Sequence, residues 1–523
     1  MMRVRELLAG GAGLALVVLV VSSGGCGGSN GNPLFGEDGG GDNAAATSSS
    51  GAANGSSGSG ASSGGLFASK GGDAASGACS GNGLICSVPQ GCTTSVSGTV
   101  YDPAGANPLY NVVVFVPNDP SGALTPIKEG TNTCSSCDVS IGDYVTATTS
   151  AADGSFTLTG VPAGTKIPLV VQIGKWRRET FLPTVTACAN TPIAGSSLTR
   201  LPAKRSEGDI PQMALVTGGA DNLGCFLEGV GLDPSEYSAP HAGGRLDIYQ
   251  GQGGGRGGRG GGGGGAPGLS AGGTAGDCTT DNPNCVWNSK ANLEAYDIVL
   301  LACEGDTYDP AESTQNNTNK TPASKQALHD WLDEGGKVFA THFHYTWFKN
   351  SPQADFQGVA TWLGNSTGAD NALYSIDTSF PKGKVFNQWL GLVGALSGSQ
   401  ISLTGVAESV AAVNAPTQRW IYNPARDPQD GQSNNTKYLS FLTPIGGIPI
   451  KTADAGETGA QYCGKAVFSD LHAGGSPMGA IPGACSGPPL SAQLKALEFL
   501  FFDLSACVSI DSLPPPPPPQ PTK

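Results

Sequence analysis

Apolar residues between positions 96 and 173 come in short runs, each cut by a turn. A strand is expected at 96–101, followed by the turn Asp102-Pro103-Ala104-Gly105. A second is expected at 111–116, stopped by Pro117, whose ring removes a ladder donor. Phe156, Thr157, Leu158 and Thr159 alternate after the turn Ala152-Asp153-Gly154-Ser155, and Val161-Pro162-Ala163-Gly164 turns the chain again before an apolar run at 169–173. Short strands with no helical period predict a β-sandwich. Beyond residue 206 the rhythm changes. Strands are expected at 213–216, 245–249, 296–302, 337–341 and 465–469, and the run at 296–302 is near-continuously apolar, as a strand buried on both faces is. Helical spacing separates several of them. One helix is expected at 221–228, with Asp221 as its cap. Another starts at Thr321-Pro322, carries Ala327, Leu328, Trp331 and Leu332 on one face, and ends at Gly335-Gly336. A third, at 491–506, lines up Leu494, Leu497, Phe501 and Leu504. Strands alternating with helices predict an α/β, flavodoxin-like domain whose parallel sheet is covered on both faces.

The ends of the chain follow another pattern. Residues 1–25 have the build of a secretory signal peptide: Arg3 and Arg5, an apolar stretch over 7–21, then small residues up to Cys26. Ser23-Gly24-Gly25-Cys26 resembles a lipoprotein signal-peptidase box. That resemblance implies a lipid on Cys26 and, because Gly27 follows it, sorting to an outer membrane, facing the periplasm or the cell surface. Residues 26–77 are Gly, Ser, Ala, Asn and Asp in the main, the composition of a flexible tether. A Gly-rich insertion is expected at 251–275, and a Pro-rich tail at 511–523 that holds a polyproline II stretch at 514–519. With much of the glycine of the chain in such tracts, the 523 residues leave room for two folded domains, at 78–205 and 206–510.

Charge and cysteine content narrow the partners and the compartment. Charged residues make up 13% of the chain and the net charge is −14, so the phosphate-neutralising surface of a nucleic-acid binder is not expected, Arg256 and Arg259 in the Gly-rich run notwithstanding. Thirteen of the 14 cysteines lie beyond Cys26, and scattered cysteines in an exported chain read as disulfides. Six precede residue 200, enough for three bridges inside the first domain, with fifteen connectivities open. Cys134-Ser135-Ser136-Cys137 has redox or zinc spacing, but no second C-x-x-C or strand–helix context accompanies it, so a structural bridge is expected there.

Two family resemblances add to this reading. Ser97-Gly98-Thr99-Val100-Tyr101-Asp102, Asp153-Gly154-Ser155-Phe156 and Val161-Pro162-Ala163-Gly164 resemble the carboxypeptidase regulatory-like, prealbumin-like domain. This implies a structural or adhesive module without catalytic residues; Trp176, Arg177 and Arg178 then read as a strand end with an aromatic cap rather than a ligand patch. The runs at 296–301, 332–342 and 466–472 are similar to the class I glutamine-amidotransferase-like fold, most of all its trehalose-utilisation-protein-like branch. An amidotransferase would carry a nucleophilic cysteine in a G-x-C-x-G turn. Cys303 sits instead in Leu301-Ala302-Cys303-Glu304-Gly305, and Thr341 and His342 occupy the elbow position, so amidotransferase activity is not expected and Cys303 reads as packed or bridged.

The candidate chemistry lies with the histidines, of which there are five. His342 and His344 are two apart at one strand's C-terminal end and would share a face if the strand continues; Asp470 and His472 repeat that spacing at the last strand. Strand C-termini meet at the ligand crevice of a parallel sheet. His342, His344, Asp470 and His472, with Glu304 nearby, could therefore bind zinc or iron or run acid–base chemistry, or they could be hydrogen-bonded core edges. Arg419, Trp420 and Arg426 are candidates for anionic contacts. Two functions fit: a non-catalytic binding or scaffold lipoprotein, held to the membrane by its lipid and taking a carbohydrate or protein ligand, or a metal- or His-dependent hydrolase acting on carbohydrate or peptide.

Overall fold

The computed structural model describes residues 82–128, 130, 134, 141–253, 266–270, 274–280, 282–313, 315–364, 372–425, 431, 433–451, 458–474, 480–483, 485, 489–515 and 517–518. The expected signal peptide, Cys26, the tether, Cys137, Arg256, Arg259, Arg426 and most of the Gly-rich insertion lie outside them. Ser76–Lys523 forms one compact unit, rich in sheet and sparing in helix.

Its N-terminal part has two sheets. β1 (Ser95–Thr99), β2 (Val113–Pro117), β3 (Tyr144–Thr149), β4 (Ser155–Thr159), β5 (Gly164–Ile173), β6 (Trp176–Val185) and β7 (Asn190–Pro192) arrange as β4-β1-β7 and β3-β2-β5-β6. Side chains of both sheets share one core, Val96 and Leu158 from the first with Val114, Leu169 and Val171 from the second. Alternation in β4 follows directly: Phe156 and Leu158 are buried while Ser155, Thr157 and Thr159 face solvent.

The C-terminal part opens with β8 (Met213–Thr217), α1 (Leu223–Gly229), β9 (Leu246–Gln250), β10 (Ile298–Leu301), α2 (Pro322–Asp333) and β11 (Lys337–Thr341). It continues through α3 (Pro381–Leu392), β12 (Thr436–Thr443) and β13 (Gly464–Ser469) to α4 (Ala492–Ser505). Five strands run parallel in the order β9-β8-β10-β11-β13. Successive residues of β8 show why its Met213–Val216 run is apolar on both faces. Met213 and Leu215 join the core under α4 with Leu497 and Leu504, and Ala214 and Val216 join the core under α2 with Leu328 and Trp331. Beyond β13 the sheet changes character: β12 pairs antiparallel to it, and the chain between Thr341 and Gly464 builds antiparallel strands rather than further strand–helix units.

The two parts are packed together through α4. Trp176, 1% exposed at the start of β6, meets Phe501 and Phe502 edge-on with ring centroids 6.4 and 6.0 Å away. Gly174, at φ +54°, turns the β5–β6 hairpin so close to α4 that an added Cβ would stand 1.9 Å from the Ser505 carbonyl oxygen. Arg177 bonds Asp209 and the Thr125 carbonyl, so this strand end is a packing element, as expected. The Cys134–Cys137 bridge does not form. Cys134 joins Cys463 just before β13, so one of the six early cysteines ties the sandwich to the sheet instead of closing a loop of its own. Cys92–Cys188, Cys225–Cys485 and Cys278–Cys285 complete the bridges between described cysteines, a set that an oxidising environment permits. Among the described residues no helix is long and apolar enough to cross a membrane.

Removing the Trp176 ring should therefore weaken both parts together. Trp176→Ala is expected to lower unfolding free energy by about 3–5 kcal/mol, the usual cost of deleting a buried aromatic. Urea titration followed by far-ultraviolet circular dichroism checks it: one transition shifted to lower urea is expected, not a separate early melting of the sandwich.

Candidate metal centre

Register places the site. Leu301 of β10 lies opposite Ala340 of β11, so two residues further on Cys303 comes beside His342. Thr341 pairs with Ser469 of β13, which brings the segment ending in His472 to the other side of the same strand end. Cys303 Sγ stands 3.4 Å from His342 Nδ1, and the rings of His342 and His472 meet edge to face with centroids 5.1 Å apart. One donor atom from each of Cys303, His342 and His472 lies within 4.8 Å of the other two. Donors on a tetrahedral zinc, at bonds of about 2.0–2.3 Å, stand about 3.3–3.8 Å apart, so small rotations would close the three around one ion.

The chain turns sharply at this point. β11 stops at Thr341, and His342 takes φ +40°, a left-handed conformation that costs a non-glycine residue about 1–3 kcal/mol. A 3₁₀ turn, His342–Tyr345, follows. The expectation that His342 and His344 share a face required the strand to continue, and it does not. His344 turns into the interior, where its Nε2 donates to the Ala302 carbonyl at 3.0 Å and its Nδ1 accepts from Trp347 Nε1 at 2.9 Å. Burial, reinforced by Lys320, holds its pKa well below the ordinary value, so it is a neutral and fully bonded imidazole. Asp470 also departs from the cluster. Its carboxylate accepts from the Ser409 amide and hydroxyl, both at 2.7 Å, and faces Lys437. Glu304 pairs with Lys320 and accepts from the Gln252 amide. Arg419 bonds Asp377, and Trp420 is buried, so neither offers an anion contact.

Two residues at the site have neighbours that the sequence did not mark. Cys303 is packed, one of the two states expected of it: it is fully buried, outside any disulfide, and held between two imidazoles. Asp221 was expected to cap α1. Asn222 does so, accepting from the Cys225 amide at 3.1 Å, and Asp221 is left to turn inward toward His472 at 1% exposure. Two adjacent capping types were the available signal, since only one of them can serve the helix.

The neighbours of His472 determine its state. Its Nδ1 donates to the Gly405 carbonyl at 2.9 Å, which leaves Nε2 for the cluster. Burial opposes charge on the ring, but the Cys303 sulfur, the Asp221 carboxylate and the Gly405 carbonyl together outweigh it and raise the pKa to about 10. Burial raises Asp221 in its turn.

No family model matches the chain, and no curated protein does. Among solved structures, a ThuA-like protein from Bacteroides uniformis is 12% identical over 55% of this chain and 88% of its own, with a TM-score of 0.28. The cytoplasmic protein STM1381 from Salmonella typhimurium LT2 is 12% identical over 42% of this chain and 73% of its own, with a TM-score of 0.23. Likenesses this distant carry no argument about function.

A raised histidine pKa has a signed consequence for stability. The folded protein binds the His472 proton more tightly than the unfolded chain, so the contribution is complete below pH 6.5 and drains away as pH rises through about 10. Metal-free protein is expected to lose stability across that window, and His472→Gln to flatten the loss. Denaturant melts at stepped pH check this; equal slopes for the two proteins would contradict it.

Proposed function

We propose that this chain is an exported, lipid-anchored envelope protein whose α/β body carries a zinc-type centre, with Cys303, His342 and His472 as its ligands, and that the centre serves hydrolysis of a carbohydrate or peptide. The carrying observation is the convergence of a buried thiol and two imidazoles from the ends of three neighbouring parallel strands. Three protein ligands leave a fourth position open, the arrangement of catalytic rather than structural zinc. An ion bound there would supply an acidified water at neutral pH. A thiolate beside two imidazoles suits zinc better than iron. His472 also carries the expected outer support, because its second ring nitrogen is fixed on a backbone carbonyl and so presents Nε2 as the ligand atom.

The wider reading is consistent with this. The strand order β9-β8-β10-β11-β13 supports a flavodoxin-like core, whose crevice lies at the strand C-termini. The two-sheet module before it supports a prealbumin-like sandwich, and the disulfides support export. The buried thiol between two histidines is what favours a reactive centre over a purely adhesive body.

Metal analysis separates the two readings. Full-length protein purified without chelator and equilibrated with zinc is expected to hold about one ion per chain. Cys303→Ala and His472→Ala should each weaken binding by more than the about 10–100-fold lost with an outer-shell partner. Protein that takes up no zinc, or holds it as well in both variants, would leave the scaffold reading standing instead.

A further inference from the structure

We infer that Asp221 is the water-positioning residue of this centre, its Oδ2 accepting a hydrogen bond from a water in the open position beside Cys303, His342 and His472. The inference rests on the metal reading above and assigns a role within it. Asp221 is 1% exposed, and its two oxygens are used differently. Oδ1 is saturated by backbone: the Asn222 amide at 2.9 Å and the Ala473 amide at 2.5 Å both donate to it. The second of these ties Asp221 to the residue after His472, so the carboxylate and the imidazole move as one piece. Oδ2 is buried without a hydrogen-bond donor. The Thr341 hydroxyl, which interacts with the Asp221 carboxylate, is shared with the Leu301 carbonyl at 3.2 Å and accepts from the Cys303 amide at 2.9 Å. The His472 ring that Asp221 faces has Nδ1 committed to Gly405, and Nε2 would be committed to the ion.

A buried carboxylate oxygen with no donor is costly, since it has lost water and gained nothing in return. Once the imidazole is a ligand, Oδ2 is left with no donor beyond the shared Thr341 hydroxyl. A water or hydroxyl-bearing group on the ion can supply one. Asp221 then fixes the orientation of that molecule, with one lone pair aimed away from the carboxylate toward a substrate carbonyl or acetal carbon.

The role is tested with two probes that differ in whether they can donate. Full-length protein is loaded with cobalt(II), and acetohydroxamate, which carries donors, and thiocyanate, which has none, are titrated against its visible spectrum. Asp221→Asn retains an Oδ1 acceptor for the Asn222 and Ala473 amides. It is expected to bind cobalt as the natural chain does, to lose about ten- to hundredfold in acetohydroxamate affinity, the worth of one hydrogen bond to a charged group, and to bind thiocyanate equally or more tightly. Asp221→Ser, which also keeps a small acceptor without the carboxylate, should show the same divergence. Parallel losses for both probes, unchanged affinity for both, or loss of cobalt in the variants would overturn the assignment. Failure of the natural chain to bind cobalt would overturn the metal reading itself.

Discussion

The parallel register of three strands is the constraint on which this molecule depends. β11 lies between β10 and β13, and its pairing with each fixes where each strand ends relative to the others. A shift of one residue in either ladder would turn every side chain to the opposite face. It would move Ala340 and Val338 out of their core and separate Cys303 from His342 in the same step. Burial of the alternating apolar residues on both faces therefore enforces the site. No separate device is needed to bring thiol and imidazole together, because the hydrophobic pattern that fixes the sheet also fixes them.

Charge around the cluster is arranged so that the three candidate ligands are left to each other. Lys320 and Glu304 are both fully buried and paired at 2.5 Å, and Lys437 and Glu408 are likewise buried and paired at 3.2 Å. Such pairs add little net stability but are expensive to break, so their partners are not free to serve elsewhere. A third buried group locks the C-terminal segment: Lys382 and Lys465 both contact Asp503 and Asp511. That network holds α4 against the sheet, and α4 is also the surface on which the sandwich rests.

Much of this was legible in the sequence, and the misses have identifiable physical causes. The near-continuous apolar run at 296–302 marked a strand buried on both faces, shorter apolar stretches marked strands at 213–216, 337–341 and 465–469, and Thr321-Pro322 marked the start of α2, because burial and capping act locally. The proximity of His342 and His472 followed from placing both at strand C-termini. His344 was misplaced because periodicity assumes a continuing strand, and no composition signal announces a left-handed histidine. Cys134 was misassigned because its partner lies 329 residues away, and spacing carries no information about such a contact. The antiparallel strands between residues 341 and 464 escaped because short, mixed runs there have no period longer than a few residues.

Zinc K-edge X-ray absorption of the zinc-loaded full-length protein addresses the central claim most directly, because it reads the donor set of the ion itself. One sulfur at about 2.3 Å and nitrogen donors at about 2.0–2.1 Å are the predicted shell. A shell of oxygen and nitrogen alone would contradict the assignment of Cys303, and with it the account of why these three strand ends meet.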